Sequence, residues 1–325
     1  MTDLTTDDRG AAGGAALASL EACAVMLETT PGWIARDRPI FWSEPKPEAR
    51  PAPWSYAAIR LALEDAARLV DLSLAERRIL ALRNPFPGNN FATTRTLSCA
   101  YQFMLPGETA STHRHASHAL RIMLDARGTY SIVDRVRMPM ETGDIVLTPG
   151  GSWHGHGHDG DLPACWMDVL DIPLTHLLEP MYFEPYPDRI QPAERAVEAS
   201  PWRFTAADIA RRLDDAEFTT LRGCAARVEL PAPELPTMGI AVDRLGPGAT
   251  TPRRRSTASR IVTVTAGAGR SRMGGELFDW KFGDTFAIPS WVWYEHAAQA
   301  QSQLVEISDE PVMRMCNYYR EETAA

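Results

Sequence analysis

A mainly β fold, two small barrels in tandem behind an N-terminal helical arm, is what this 325-residue sequence predicts. Three observations carry that expectation. Apolar residues upstream of about position 82 recur at helical spacing. From Thr93 the period changes to short alternating runs separated by Gly and Pro, the pattern of many short antiparallel strands. The strand-rich stretch then occurs a second time, at a shift of 140 residues.

In chain order, Met1 to Gly14 is acidic and rich in small residues. It lacks the basic stretch and apolar core of a signal peptide, so a frayed tail is expected. Ala15–Leu27 reads as a helix. Pro31–Trp54, with its Pro and Trp residues, reads as an extended arm. Tyr56–Val70 is a second helix, which Leu72–Leu82 continues after a break. Strands are expected at Thr96–Leu105, Ala119–Leu124, Thr129–Val133, Asp144–Thr148 and Cys165–Leu170. The resulting division is 1–90 for tail and helical arm, 91–185 for the first barrel, 186–230 for a connector and 231–325 for the second barrel. The connector carries a short helix near Ala206–Arg212.

The repeat is specific. At the 140-residue shift, Gly143-Asp144 falls on Gly283-Asp284, Pro149 on Pro289 and Trp153 on Trp293. His113 and His115 fall on Arg253 and Arg255, His154 on Tyr294, and His156 on His296.

Composition narrows the function. The chain is 45% hydrophobic and 23% charged, that of a soluble globular protein. No apolar run approaches the roughly 18 residues of a membrane helix. A net charge of −9 argues against a nucleic-acid partner. The five cysteines (Cys23, Cys99, Cys165, Cys224 and Cys316) are odd in number and lack CxxC spacing, which points to reduced thiols in a cytoplasmic protein.

Six of the eight histidines lie between positions 113 and 158. In His113-x-His115 on a strand, both rings share one face, because side chains alternate with period two. His154 follows after a Gly-Asp turn and another strand, placed to face them across a small barrel. Three imidazoles meeting there fill half of a coordination sphere and leave room for substrate and O2 or water. Gly107, His113-x-His115 and Gly128, followed by Gly143, Pro149-x-Gly151 and His154, match the two motifs of cupin barrels. The acidic ligand common after His-x-His is missing: Ala119, Leu120 and Arg121 stand in that neighbourhood. A three-His site keeps the full +2 charge of its ion and favours a bidentate, dianionic ligand. Fe(II) or Zn(II) suits such a set, and ligand identity alone does not separate them. In the second barrel, the three arginines 253–255 would repel a cation, so no metal is expected there.

The stretches Leu105 to Glu108, His113 to His115, Ala119 to Arg121, Trp153 to Gly157 and Trp166 to Pro173 resemble the gentisate 1,2-dioxygenase family, which includes salicylate and 1-hydroxy-2-naphthoate dioxygenases. Phe278 to Trp280, Gly283-Asp284, Pro289 to Trp291 and Ser308 to Pro311 resemble it too, as do Ala75 to Arg78 and Asn84-Pro85 upstream. The resemblance spans about residues 50 to 322. It implies an Fe(II)-dependent, extradiol-type opening of the C1–C2 bond of gentisate or a related salicylate by O2, with one iron per subunit in the first barrel. Relatives are commonly homotetramers. The resemblance also implies substrate contacts from Arg121, Gln102, His156, Asp168 and, from the upstream arm, Arg77. His156 is an acid/base candidate or a hydrogen-bond partner of a ligand, and Asp168 a reacting or an orienting group. Ser98 stands where relatives often have an aromatic residue, and Gly155 where Asp is usual. Both changes are expected to enlarge the pocket, as for a 5-substituted salicylate. The competing reading is a Zn or Mn cupin isomerase or hydrolase acting on a small anion.

Overall fold

The computed structural model describes residues 6–33, 41–71, 77–216 and 226–324. Contacts divide the chain into two units, Met1–Pro45 and Lys46–Ala325. The first unit carries α1 (Thr6–Met26). Residues 6–14, expected as a frayed tail, are therefore helical; alanine, the best helix former, offsets the Gly pair at 13–14.

The second unit opens with β1 (Ala52–Trp54), α2 (Tyr56–Leu69) and β2 (Arg78–Ala81). Two expectations need correction here. The end of the expected extended arm is a strand, because β1 pairs with Thr285–Ala287 far along the chain. Arg78–Ala81 is not a helical continuation either. It pairs antiparallel with the edge residues Ala100–Phe103, so backbone partners in a sheet override local helix propensity. Residues 72–76 lie outside the described residues.

The first barrel follows: β3 (Ser98–Met104), β4 (Thr109–His115), β5 (Ala119–Asp125), β6 (Thr129–Val133), β7 (Val136–Met140), β8 (Ile145–Thr148), β9 (His154–His158) and β10 (Ala164–Leu170). After it come α3 (Ile172–Leu178), β11 (Phe183–Pro185), β12 (Arg195–Ala196), β13 (Arg203–Phe204) and α4 (Ala206–Asp215). The three short strands join the first barrel, whose sheets run β13-β8-β5-β10-β3-β2 and β11-β4-β9-β6-β7-β12.

The second barrel comprises β14 (Ala226–Leu230), β15 (Gly239–Leu245), β16 (Arg254–Ser256), β17 (Arg260–Ala266), β18 (Ala268–Met273), β19 (Glu276–Lys281), β20 (Thr285–Ile288), β21 (Tyr294–Ala298) and β22 (Ser302–Ser308). It ends with α5 (Glu310–Met315) and β23 (Glu321–Thr323). Its sheets run β1-β20-β17-β22-β15-β14 and β19-β18-β21-β16-β23.

The duplication extends to the turns. Gly143 and Gly283 have φ of +89° and +84°, a conformation that glycine adopts without strain. The aspartate after each receives a helix: Asp144 Oδ1 accepts from Ala206 N at 2.9 Å and Asp284 Oδ1 from Tyr56 N at 2.8 Å. Helices α4 and α2 thus dock by one device on the first and second barrel.

Strand alternation sorts the side chains. Cys99, Tyr101 and Phe103 of β3 join Ile261, Val305 and Ile307 in one apolar layer between the barrels. Ser98, Ala100 and Gln102 of the same strand face the first barrel's interior. Deeper in that interior lie Met104, Met123, Met138, Met140, Val146 and Trp166. Tyr101 pins the two barrels together, its hydroxyl donating to Gly283 O at 2.6 Å. Tyr101→Phe leaves that carbonyl without its partner and should lower stability by about 1–3 kcal/mol. Urea unfolding of the two proteins checks this; identical midpoints would show that the bond contributes nothing.

Candidate metal centre

His113 and His115 project from β4 and His154 from β9. These strands are hydrogen-bonded neighbours, with His113 directly opposite His154. The expected placement across the barrel is thus corrected: adjacent strands of one sheet bring the rings together. A register shift between Ala110 and His113 adjusts the approach. Ring centroids lie 4.4 Å apart for His113 and His154, 4.9 Å for His115 and His154, and 5.3 Å for His113 and His115. One nitrogen from each of the three rings falls within 4.8 Å of the other two.

The second nitrogen of each ring is engaged. His115 Nδ1 donates to Ser117 O at 2.8 Å and His154 Nδ1 to Ser152 O at 3.0 Å. His113 Nδ1 lies 3.3 Å from Ser111 O. Arg77 Nη2 donates to the same carbonyl at 2.7 Å while lying 2.8 Å from Nδ1. A proton on Nδ1 of His115 and of His154 leaves Nε2 of each with a free lone pair, the arrangement a metal-binding imidazole needs. Burial, with Arg77 and His115 adding to it, pushes the His113 pKa down to about 3, and burial pushes His115 down to about 4. His154 is held well below the usual range by burial and then by Arg121. Three neutral imidazoles at neutral pH fit a divalent cation by donor chemistry as well as by position.

Beside them lies a buried ion pair. Arg121 of β5 and Asp168 of β10 are direct cross-strand partners. Arg121 Nε is 3.1 Å from Asp168 Oδ1, yet neither atom has a well-directed hydrogen bond among the described residues. Arg121 Nη1 donates to Thr148 Oγ1 at 2.6 Å, and Trp166 Nε1 donates to Asp168 Oδ2 at 3.2 Å. Burial pushes the Asp168 carboxyl up, and Arg121 opposes that shift. His156, also buried, has no partner for Nδ1 among the described residues, and its ring centroid lies 6.1 Å from that of His154. Unsatisfied polar atoms on three neighbouring side chains are the mark of a site built for a polar occupant.

Gln102 and Ser98 lie buried on the interior face of β3, opposite Trp166 and Leu170 of β10. Arg77 is half-buried. Arg77 thus lies against His113, and Arg121 beside Asp168, while Gln102 and Ser98 lie on β3 next to the strand of Asp168; Gly155 faces away. A Cβ on Gly155 would meet Thr112 Oγ1 at 2.8 Å, on the face opposite His154 and His156, so glycine there does not enlarge the pocket. The sequence reading missed Thr148, Trp166 and the carbonyls of Ser111, Ser117 and Ser152. It also missed Phe183, whose ring stacks on His113 with centroids 4.9 Å apart, near the end of the stretch assigned to the first barrel. Only the position of the serines two residues from each ligand hinted at any of this.

The second barrel differs from the sequence alignment by one residue. Arg254, not Arg253, is paired with Tyr294, as His113 is with His154. Arg254 and Ser256 therefore hold the positions of His113 and His115. Arg253 and Arg255 turn outward over Trp293 and Trp291. Among the described residues, the one His/Cys/Asp/Glu cluster with metal-binding spacing is that of the first barrel. Cys23, Cys99, Cys165 and Cys316 are free thiols; Cys224 lies outside the described residues. No described helix is long and apolar enough to cross a membrane.

The lowered imidazole pKa values have a signed consequence. An unfolded histidine titrates near 6.5, so below that pH the unfolded state takes up protons that the fold refuses. The stabilisation is complete above about 6.5 and is lost as pH falls toward 4 and 3. Each such imidazole costs up to about 1.4 kcal/mol per pH unit. The urea midpoint of metal-free protein should stay level from about pH 7.5 to about 6.5 and fall steadily from there to about pH 5, below the unfolded value. A flat profile would contradict the burial of neutral rings.

Comparison with known proteins agrees with this geometry. Residues 100–170 match the family described as Cupin domain. The chain is 31% identical over 318 residues to gentisate 1,2 dioxygenase 1 of Aquipseudomonas alcaligenes, covering 87% of this chain and 89% of that one. It is 32% identical over 313 residues to 5-aminosalicylate 1,2-dioxygenase of Comamonas sp, covering 87% and 84%. The structure of salicylate 1,2-dioxygenase from Pseudoaminobacter salicylatoxidans with gentisate superposes with a TM-score of 0.87 at 26% identity, covering 100% of this chain and 96% of that chain. With two such barrels, the histidine cluster in the first and full-length relatives above 30% identity, the chain belongs to the gentisate and salicylate 1,2-dioxygenase family of bicupin ring-cleaving enzymes.

Proposed function

We propose that the chain is an Fe(II)-dependent dioxygenase that opens the C1–C2 bond of gentisate or a related salicylate, both oxygen atoms of O2 entering the product. The observation that carries this reading is the convergence of three neutral imidazoles beside a buried guanidinium and two further unsatisfied polar groups. The catalytic centre belongs to the barrel within 91–185, and the barrel within 231–325 holds no metal.

His113, His115 and His154 would hold the iron, which would supply Lewis acidity toward an adjacent carboxylate and phenolate and a path for electrons from the ring to O2. Every other role falls to the protein. Arg121 offers a planar fork to the substrate carboxylate, and Asp168 sets the orientation of that fork. The low dielectric around the pair strengthens the attraction for an incoming anion. His156 is neutral, because burial and then Arg121 hold its pKa well below the usual range. A neutral imidazole with an unused nitrogen can accept the phenol proton and return it to the product. Gln102 and Ser98 wall the site from β3, and Arg77 reaches it beside His113. The small Ser98 side chain leaves room for a ring substituent, which favours a 5-substituted salicylate. Leu17, Leu20, Val25 and Met26 of α1 are exposed, which supports assembly into a homo-oligomer, a tetramer by family precedent, through the arm.

The test is O2 uptake after addition of Fe(II) and a panel of gentisate, salicylate and 5-substituted salicylates. Uptake with a new near-UV absorbance is expected; turnover restored by Zn(II) without O2 would favour a hydrolase or isomerase. A strong preference for unsubstituted salicylate would refute the role given to Ser98. His113→Ala and His154→Ala should lose bound iron and activity together, whereas Arg255→Ala should keep both, by metal analysis of each variant. His156→Ala should retain iron while turnover falls by about 10²-fold or more. Unchanged turnover would remove His156 from the mechanism.

A further inference from the structure

The last long strand of each barrel, β10 and β22, runs into the same pattern, Asp171-Ile172-Pro173 and Asp309-Glu310-Pro311. Both aspartates are almost wholly buried, and each clasps the other barrel. Asp171, leaving the first barrel, accepts through Oδ2 from Thr237 Oγ1, just ahead of β15, at 2.6 Å. Asp309, leaving the second, accepts through Oδ2 from Thr96 Oγ1, just ahead of β3, at 2.5 Å. The other carboxylate oxygen turns back to its own barrel. Asp171 Oδ1 accepts from His118 N and Asp309 Oδ1 from Ser259 N, both at 2.8 Å.

What lies behind those two N–H groups differs. The N–H of His118 belongs to the same peptide group as Ser117 O, the carbonyl that takes the Nδ1 proton of His115 at 2.8 Å. Ser117 Oγ lies 2.9 Å from the same nitrogen. A carboxylate at one end of an amide polarises it and makes the carbonyl at the other end a stronger acceptor. A stronger acceptor at Nδ1 makes Nε2 the better electron donor. In the second barrel the N–H of Ser259 belongs to the peptide group of Ala258 O, which accepts from Ser256 Oγ at 3.3 Å. Ser256 holds the position of His115. Both barrels therefore keep the clasp as scaffold. In the second it ends on a serine hydroxyl, and in the first on an imidazole of the histidine cluster. Both oxygens of Asp171 face donors, which suits the ionised form. Burial pushes its carboxyl up, and Thr237 and His118 oppose that shift.

We propose that Asp171 is a positioning residue for the metal. Through the peptide that joins Ser117 to His118 it orients His115 and strengthens Nε2 as a donor, while Thr237 ties the carboxylate to the second barrel. The proposal rests on the reading of His113, His115 and His154 as metal ligands.

Asp171→Asn keeps an acceptor for His118 N and a polar partner for Thr237 but removes the charge. Metal-free protein of this variant, titrated with Co(II) and followed by visible absorbance, should bind about 10-fold more weakly than the unaltered chain, the lower end of the cost of losing a ligand's outer partner. Asp309→Asn makes the same change in the second barrel and should bind Co(II) as the unaltered chain does. In the Zn(II)-loaded protein, the Nδ1–H proton resonance of His115 should move upfield in Asp171→Asn as its hydrogen bond weakens. That of His154, bonded to Ser152 O, should stay in place. Urea unfolding shows that each variant compared is folded. Unchanged Co(II) affinity in Asp171→Asn, an equal loss in Asp309→Asn, or a His115 resonance that does not move would each overturn the proposal. Metal binding is read without substrate and O2 uptake is read separately, so failure of the ring-cleavage reading and failure of this one give different results.

Discussion

The pairing of β4 with β9, which sets His113 directly against His154, is the constraint on which the site depends. Neighbouring strands fix those rings through backbone hydrogen bonds rather than side-chain packing. Carbonyls two residues from His115 and from His154 then orient those rings and fix their tautomer. Burial completes the arrangement by keeping the imidazoles neutral, and a neutral ring is the form that binds a metal. Sheet register, local carbonyls and desolvation thus act on the same atoms.

The second barrel shows how one scaffold supports another solution. Arg254 and Ser256 replace two ligands and Tyr294 the third. The positive charge a metal would bring comes instead from Arg227, Arg254 and Arg260 around Glu306. Burial opposes the charge of Glu306, but the three guanidiniums hold its carboxyl well below the usual range. The apolar layer of Ile261, Val305 and Ile307 against Tyr101 and Phe103 makes the two barrels one core. The second barrel therefore supports the strand that carries Ser98 and Gln102.

Much of this was legible in the residues, and the exceptions share a cause. The duplication, the histidine cluster, α2 and most strands of the first barrel follow from periodicity and spacing. The alignment of Arg253 and Arg255 with the ligands did not survive, because a one-residue offset on β16 exchanges the inward and outward faces of a strand. Gly155 was assigned to the pocket wall for the same lack of register. Arg78–Ala81 was read as helix because its partner, β3, lies some 20 residues away in sequence and is close only in the fold. Phe183 gave no signal at all, since its stacking on His113 exists only once β11 has paired with β4.

By itself, the sequence determined which chemistry is possible: three imidazoles at strand spacing without a carboxylate ligand, in one copy of a repeated unit whose other copy is arginine-rich. Those facts are local, because side-chain type and period-two alternation are properties of the chain. Tertiary structure decided which arginines turn inward and which buried groups are left unsatisfied. Register, burial and electrostatic neighbours arise between segments distant in sequence, and pattern reading along one strand cannot supply them.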